Sequence, residues 1–230
     1  MIILYEDNHL IIVSKAAGEI VQGDKTGDRP LSDKVKLYIK EHYAKPGQVF
    51  LGVTHRLDRP VSGVVVFART SKALTRMNDL FRQGKVHKTY LAVVANRPPE
   101  QQGEITTWIT RNERLNKSFS SPVESPGSKQ ARLRYRLVAS SEHYHLLAVQ
   151  LLTGRHHQIR CQLASIGCPI KGDLKYGARR SNPDGCISLH AYRIAFEHPV
   201  SHKQISIQAP LPDDSLWSAL ASSLGEFSFP

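Results

Sequence analysis

The stretch Thr54-His55-Arg56-Leu57-Asp58-Arg59-Pro60 leads, two residues later, into Gly63-Val64-Val65-Val66-Phe67-Ala68. The second run is apolar, rich in β-branched residues and bounded by turn residues, which reads as a buried strand. The first run is polar and ends in proline, so it reads as a rigid loop at the mouth of that strand. Asp58 stands there between Arg56 and Arg59. A guanidinium within a few ångströms lowers a carboxylate's pKa and keeps it ionised, as a nucleophile or a charge stabiliser requires. Taken alone, an Arg-x-Asp triplet is far more often a salt-bridged turn than a reacting centre.

Outward from this loop the chain alternates short strands and helices. Ile2–Tyr5 and Leu10–Ser14 read as strands around the turn Glu6-Asp7-Asn8. Ser32 is expected to cap a helix carrying Val35, Tyr38, Ile39 and His42. Ser71 is expected to cap another, with Leu74, Met77, Leu80 and Phe81 at helical spacing and Gly84 as its stop. Thr89–Ala95 reads as a strand, and 118–128, rich in Ser, Pro and Gly, as an exposed loop. Next, Arg132, Arg134 and Arg136 alternate with Leu133, Tyr135 and Leu137, which on a strand puts three guanidiniums on one face. Such a stripe is usually a solvated face; with the charge of this chain it is also a candidate RNA track. His145–Leu152 reads as a strand, followed by a helix with Ile159, Leu163 and Ile166 inward and Gly167 at its end. Ile187–His190 and Gln204–Gln208 are further strands. Without strict βαβ alternation the fold class is α+β, with a largely antiparallel or mixed sheet.

A second polar segment stands before the 159–166 stripe: Thr153-Gly154-Arg155-His156-His157-Gln158-Ile159-Arg160. Gly154 permits an unusual turn, and polar groups crowd the first turn of a helix whose other face is apolar. A helix N-terminus with Arg155 and Arg160 beside it suits a phosphate or a carboxylate. Capping plus surface charge explains the same residues without a ligand.

The chain has 230 residues, 40% hydrophobic, with 31 Lys and Arg against 20 acids and a formal charge of +11. That is material for a single domain, residues 1–230, with no internal repeat and no long linker. The excess of cations favours a polyanionic partner. No signal-peptide core or membrane-length apolar run is visible, and three cysteines do not suggest a disulfide framework, so a cytoplasmic location is expected.

Considered together, the segments resemble the RluA branch of the pseudouridine synthases along nearly the whole chain. The resemblance rests on Ile3-Leu4-Tyr5-Glu6-Asp7, Lys15-Ala16-Ala17-Gly18, His55-Arg56-Leu57-Asp58, Ser62-Gly63 and Phe67-Ala68-Arg69-Thr70. It continues through Lys88-Thr89-Tyr90-Leu91-Ala92, Thr153-Gly154-Arg155, His157-Gln158-Ile159-Arg160, Gly172-Asp173 and Tyr176-Gly177. Leu189-His190-Ala191, Phe196, His198-Pro199 and Ala209-Pro210-Leu211-Pro212 close it. Each fragment is weak; in this order and spacing they are specific.

The resemblance implies an α+β catalytic domain on a bent sheet, acting on RNA. It implies Asp58 as the catalytic aspartate, Tyr90 as the tyrosine that packs on the target base, and Arg160 as the basic residue paired with the aspartate. Arg56 matches the arginine thought to enter the stack where the flipped uridine stood; His55 and Leu57 support its loop. Arg155, His157 and Gln158 are expected near the RNA. Isomerising uridine needs neither cofactor nor metal, so neither is expected, and the partner is tRNA or rRNA, met by a monomer. The pattern starts at residue 2, so no S4-type RNA-binding extension is expected.

Departures from the family pattern are Ala16 for Pro, Gln22 for a frequent His, and Pro60-Val61 after Asp58-Arg59, with His156, Cys161 and Gln162 also unusual. They bear on substrate identity more than on catalysis. The alternatives are a catalytically silent RNA-binding module on the same fold and a zinc site at His156, His157, Cys161 and Cys168, whose spacing fits no common zinc pattern. Trp108 and Trp217 read as packing residues more than stacking platforms.

Overall fold

A computed structural model describes residues 1–222 and 229. In chain order the elements are β1 (Ile2–Glu6), β2 (Leu10–Lys15), α1 (Leu31–His42), β3 (Gly52–Val53), β4 (Ser62–Ala68), α2 (Ser71–Arg82) and β5 (His87–Val94). Then follow β6 (Gln102–Asn112), β7 (Lys117–Ser121), β8 (Lys129–Ser140), β9 (His145–Leu151), α3 (Gln158–Ser165), β10 (Leu189–Glu197), β11 (Gln204–Gln208) and α4 (Ser215–Ala221). The chain groups into two compact units, Met1–Val86 with Ala191–Pro210, and His87–His190 with Leu211–Pro230.

In the first unit β2 pairs antiparallel with β1 on one side and with β4 on the other, and the short β3 also pairs with β4. The register sets Leu10 opposite Ala68 and Ile12 opposite Val66. These side chains bury against Ala73 and Met77 of α2 and against Ile194 and Phe196 of β10. The α2 stripe is as expected, but its cap is one residue earlier: Thr70, in extended conformation, accepts the Ala73 N–H, and Ser71 is already helical. Ser32 is not a cap either. α1 starts at Leu31 behind Pro30, and the Leu31 and Ser32 N–H groups donate to the carbonyls of Ile20 and Val21. A preceding loop segment thus satisfies donors that a side-chain cap would have served.

The second unit is built on the antiparallel order β5-β9-β8-β6-β7. The 118–128 expectation is corrected in part: residues 117–121 form β7, hairpin partner of β6, and only the remainder is loop. Ser118 is buried there and gives its backbone N–H to Tyr176, which composition does not reveal. The arginine alternation falls on β8 as expected, with Leu133 and Tyr135 buried on the other face. Tyr90, Val149 and Tyr135 lie in register across β5, β9 and β8, whereas Thr89, Gln150 and Arg134 form the adjacent row. Because side chains alternate along each strand, Tyr90 and the arginine stripe occupy opposite faces of this sheet.

Gly63, the second residue of β4, has φ +115, and a Cβ there would stand 2.2 Å from the Ala191 carbonyl oxygen and 2.6 Å from its nitrogen. Both obstacles are backbone, so nothing small can yield. Gly63→Ala should cost more than about 3 kcal/mol or abolish soluble folding. Gly23→Ala, where no atom lies within 4 Å, should stay within about 0.5 kcal/mol in the same urea titration.

Candidate active site

The loop carrying Asp58 joins β3 to β4, and its path follows from unmet hydrogen bonds on β4. β3 is only two residues long and pairs Gly52 with Ala68 and Val53 with Phe67. One step further the partner strand has ended. Two side chains take its place: Thr54 Oγ1 donates to the Val66 carbonyl at 2.7 Å, and His55 Nε2 accepts the Val66 N–H at 3.1 Å. The His55 ring also lies against Phe81, centroids 5.0 Å apart. His55 thus ties the loop to β4. Leu57 is buried beneath it.

The far side of the loop is fixed by its backbone. Val61 N–H closes a turn on the Asp58 carbonyl at 3.0 Å. The Arg59 carbonyl accepts from Gly18 N–H at 2.9 Å and from Lys15 Nζ at 3.0 Å. Lys15 is 1% exposed, and its ammonium also donates to the carbonyls of Ala16 and Glu19. Burying an ammonium is costly unless its donors are met, and here carbonyls meet them. The Lys15-Ala16-Ala17-Gly18 motif thus holds the aspartate loop from 44 residues away.

Asp58 is half-buried in this frame. Arg59 is turned to other partners: its guanidinium pairs with Asp28 and donates to Thr26 Oγ1. Arg56 is exposed, and among the described residues no hydrogen bond or ion pair engages its guanidinium.

The second unit carries Tyr90 and Arg160. Tyr90 is buried on β5, and Lys88, two residues earlier on the same face, has its ammonium pKa lowered by burial. A side chain at position 154 would touch Lys88 Nζ at 3.5 Å, so Gly154 leaves room for that ammonium. Lys88 carries no expectation from sequence, although the alternation Lys88-Thr89-Tyr90 put it on the tyrosine's face.

Arg160, 6% exposed on α3, is clamped by Asp173: Nε to Oδ2 at 2.7 Å and Nη2 to Oδ1 at 2.9 Å. Its Nη1 lies 3.0 Å from His157 Nε2, and its guanidinium carbon lies 5.1 Å from the centre of the Tyr176 ring. Arginine has only donors, so His157 Nε2 accepts and its proton sits on Nδ1, facing Tyr176 Oη at 2.9 Å. Tyr176 Oη also accepts the Ser118 N–H at 2.8 Å. His157 holds a left-handed conformation, φ 52, at the start of α3.

Of the other residues expected near RNA, Arg155 is exposed and rests its Nε on the Gln130 carbonyl. Gln158 is 3% exposed: its Oε1 accepts from Thr153 Oγ1 and Arg155 N–H, and its Nε2 donates to the Arg132 carbonyl. Gln158 and His157 thus shape the segment from beneath. Three residues of the zinc alternative, His156, His157 and Cys161, make other contacts. His156 Nδ1 lies 2.9 Å from Ser118 Oγ, and Cys161, whose thiol is pushed up to about 12 by burial, donates to the Gln158 carbonyl.

The arginine stripe is partly neutralised. Glu104 takes Arg132 through Nε and Nη2 and Arg134 through Nε, and these bonds lower the Glu104 pKa. Trp217 is buried edge-on to His190, as a packing residue.

Burial, followed by the Arg160 charge, depresses the His157 pKa to about 2. The unfolded chain takes up this proton near pH 6.5 and the folded one does not, so stability is complete above about 6.5 and declines as pH falls towards 2. Asparagine tolerates the left-handed conformation and does not titrate. Between pH 7.5 and pH 5, urea midpoints should show the parent losing about 1–2 kcal/mol relative to His157→Asn. Parallel pH curves would show that this histidine does not couple to folding.

A family model described as RNA pseudouridylate synthase matches residues 9–165. An RNA pseudouridine synthase of Chloroflexus aurantiacus is 40% identical over 73% of this chain and 52% of its own length. A ribosomal large subunit pseudouridine synthase C of Rickettsia bellii is 31% identical over 91% of this chain and 68% of its own. A synthase D of Nitrosomonas europaea is 34% identical over 92% and 62%. The chain thus spans from about half to about two thirds of the length of these relatives. The solved structure of human RNA pseudouridylate synthase domain containing 4 shares the fold, with a TM-score of 0.81 over 96% of this chain and 92% of that one at 23% identity. The chain belongs to the RNA pseudouridylate synthase family, isomerases that act on uridine in RNA.

Proposed function

We propose that this chain isomerises uridine to pseudouridine in RNA, with Asp58 as the catalytic carboxylate. The observation that carries this reading is the Asp58 loop itself. It is clipped to Val66 at one end and to Lys15 and Gly18 at the other, so the backbone that carries a half-buried carboxylate is held in one place. Such preorganisation is what a carboxylate needs to act at a developing charge. Arg59, the neighbour that a salt-bridged turn would use, pairs instead with Asp28.

The reaction breaks C1′–N1, turns the uracil and forms C1′–C5, with no net change of atoms or electrons. In this proposal Asp58 acts at the sugar or base during that exchange. Tyr90 offers a flat ring to the uracil and a hydroxyl for late proton transfer. Arg160 is the basic residue of this proposal, its guanidinium oriented by Asp173 and His157. The target base leaves its stack, at a cost of about a few kcal/mol when paired and less in a loop. Arg56 and Arg155, both exposed, contact the RNA. The names of the relatives make RNA of the large ribosomal subunit the first substrate to assay.

Asp58→Asn should abolish tritium release from RNA carrying 5-tritiated uridine while RNA affinity stays within a few-fold of the parent. Retained turnover would overturn the assignment. Arg56, with no partner to hold it among the described residues, is assigned to filling the space that the extruded base vacates; a planar guanidinium can stack and hydrogen-bond there. Under single-turnover conditions Arg56→Ala should slow reaction on a structured stem-loop at least about tenfold more than on an unstructured oligomer, where no base need be extruded. Equal losses on both substrates would count against the wedge.

A further inference from the structure

α1 turns two different faces outward and inward. Leu31, Val35 and Ile39, spaced four apart, are buried. Asp33, Lys36, Leu37 and Lys40, at the i, i+3, i+4 and i+7 positions of another face, line an open groove of about 470 Å³. Arg29 and residues Gly47-Gln48-Val49 complete its wall. Three cations thus face one carboxylate.

Several other cations of this unit are paired. Lys34 pairs with Glu19, Arg59 with Asp28 and Arg69 with Glu6. Among the described residues Arg29, Lys36 and Lys40 have no ion pair or side-chain hydrogen bond, and neither has Asp33. Their charge therefore contributes nothing evident to the fold. Lys36 and Lys40 stand one helical turn apart, about 6 Å along the axis, so they can neutralise neighbouring phosphates of one strand. The apolar sides of Leu37 and Val49 between them suit the stems of lysines and the sugar edge of a nucleotide better than a free ion.

The groove is also tied to the aspartate loop. Arg59, next to Asp58, grips Asp28 and Thr26, and the segment they belong to continues directly into Arg29. A strand held on the groove would be held to the same segment that fixes the loop.

We propose that this groove binds the phosphodiester backbone of the RNA substrate outside the target nucleotide. The inference rests on the reading of the chain as an RNA enzyme, and names where its backbone contacts lie. The test is binding of a fluorescent RNA hairpin by anisotropy, across roughly a fivefold range of KCl, where each neutralised phosphate contributes about 0.7–0.9 to the slope of log affinity against log salt. The parent should bind with a steep slope. The Lys36→Gln/Lys40→Gln variant should lose about 1.5–2 of that slope, each single variant about half as much, and affinity should fall about tenfold near physiological salt. Lys72→Gln/Lys85→Gln, which removes two exposed charges away from the groove, should change the slope by less than about 0.5. A groove variant with the parent's slope would overturn this proposal while leaving the RNA reading intact. A parent that does not bind the hairpin would overturn both.

Discussion

A buried backbone N–H and C=O must find partners, and at Val66 this requirement organises the aspartate loop. β3 pairs with Phe67 and Ala68 and stops, leaving the next peptide of a fully buried strand unserved on that side. Leaving one such group unmet costs about 1–3 kcal/mol. Thr54 and His55 meet both groups with their side chains, so the chain cannot swing away from β4 until residue 56. The exposed Arg56, the buried Leu57 and the half-buried Asp58 follow in an order that this clip imposes. At the other end, the Lys15 ammonium and Gly18 hold the Arg59 carbonyl, and the loop has little freedom left between its two anchors.

The second unit holds its charge by a different device. Arg160 is a desolvated cation whose fork is matched by both oxygens of Asp173. Replacing one partner would strand the other, typically at about 3–5 kcal/mol. His157 and Tyr176 finish the network, and the left-handed start of α3 is what aims His157 Nε2 at the guanidinium. The helix here is short, eight residues, and polar contacts beneath its first turn do what length would otherwise do.

Much of this was readable in the sequence, for identifiable reasons. The apolar run 63–68 had one interpretation, and the alternation 132–137 another. The helices at 71–82 and 158–165 carried their periodicity openly. The misses share a cause: they depend on partners distant in sequence. Ser32 and Ser71 looked like caps, but the helix donors were met by the Ile20 and Val21 carbonyls or by a residue one step earlier. β6 mixes Thr, Gly and Glu with sparsely placed Ile105 and Ile109, so its period is diluted. Arg59 stood beside Asp58 in the chain and yet reaches Asp28, because adjacent side chains in a tight turn diverge. Lys15 and Lys88 were visible only as parts of motifs; burial, which no motif states, is what gives them a role.

The pairing of Arg132 and Arg134 with Glu104 on the face away from Tyr90 has an electrostatic consequence. One carboxylate among those guanidiniums flattens the local potential, so that side of the sheet attracts a polyanion less than its arginine count suggests. For a chain with an overall charge of +11, attraction alone is abundant and indiscriminate. What is scarce is a difference in attraction between one side and another. By cancelling charge on the face away from Tyr90, Glu104 makes the two faces of this sheet unequal in their pull on an anion.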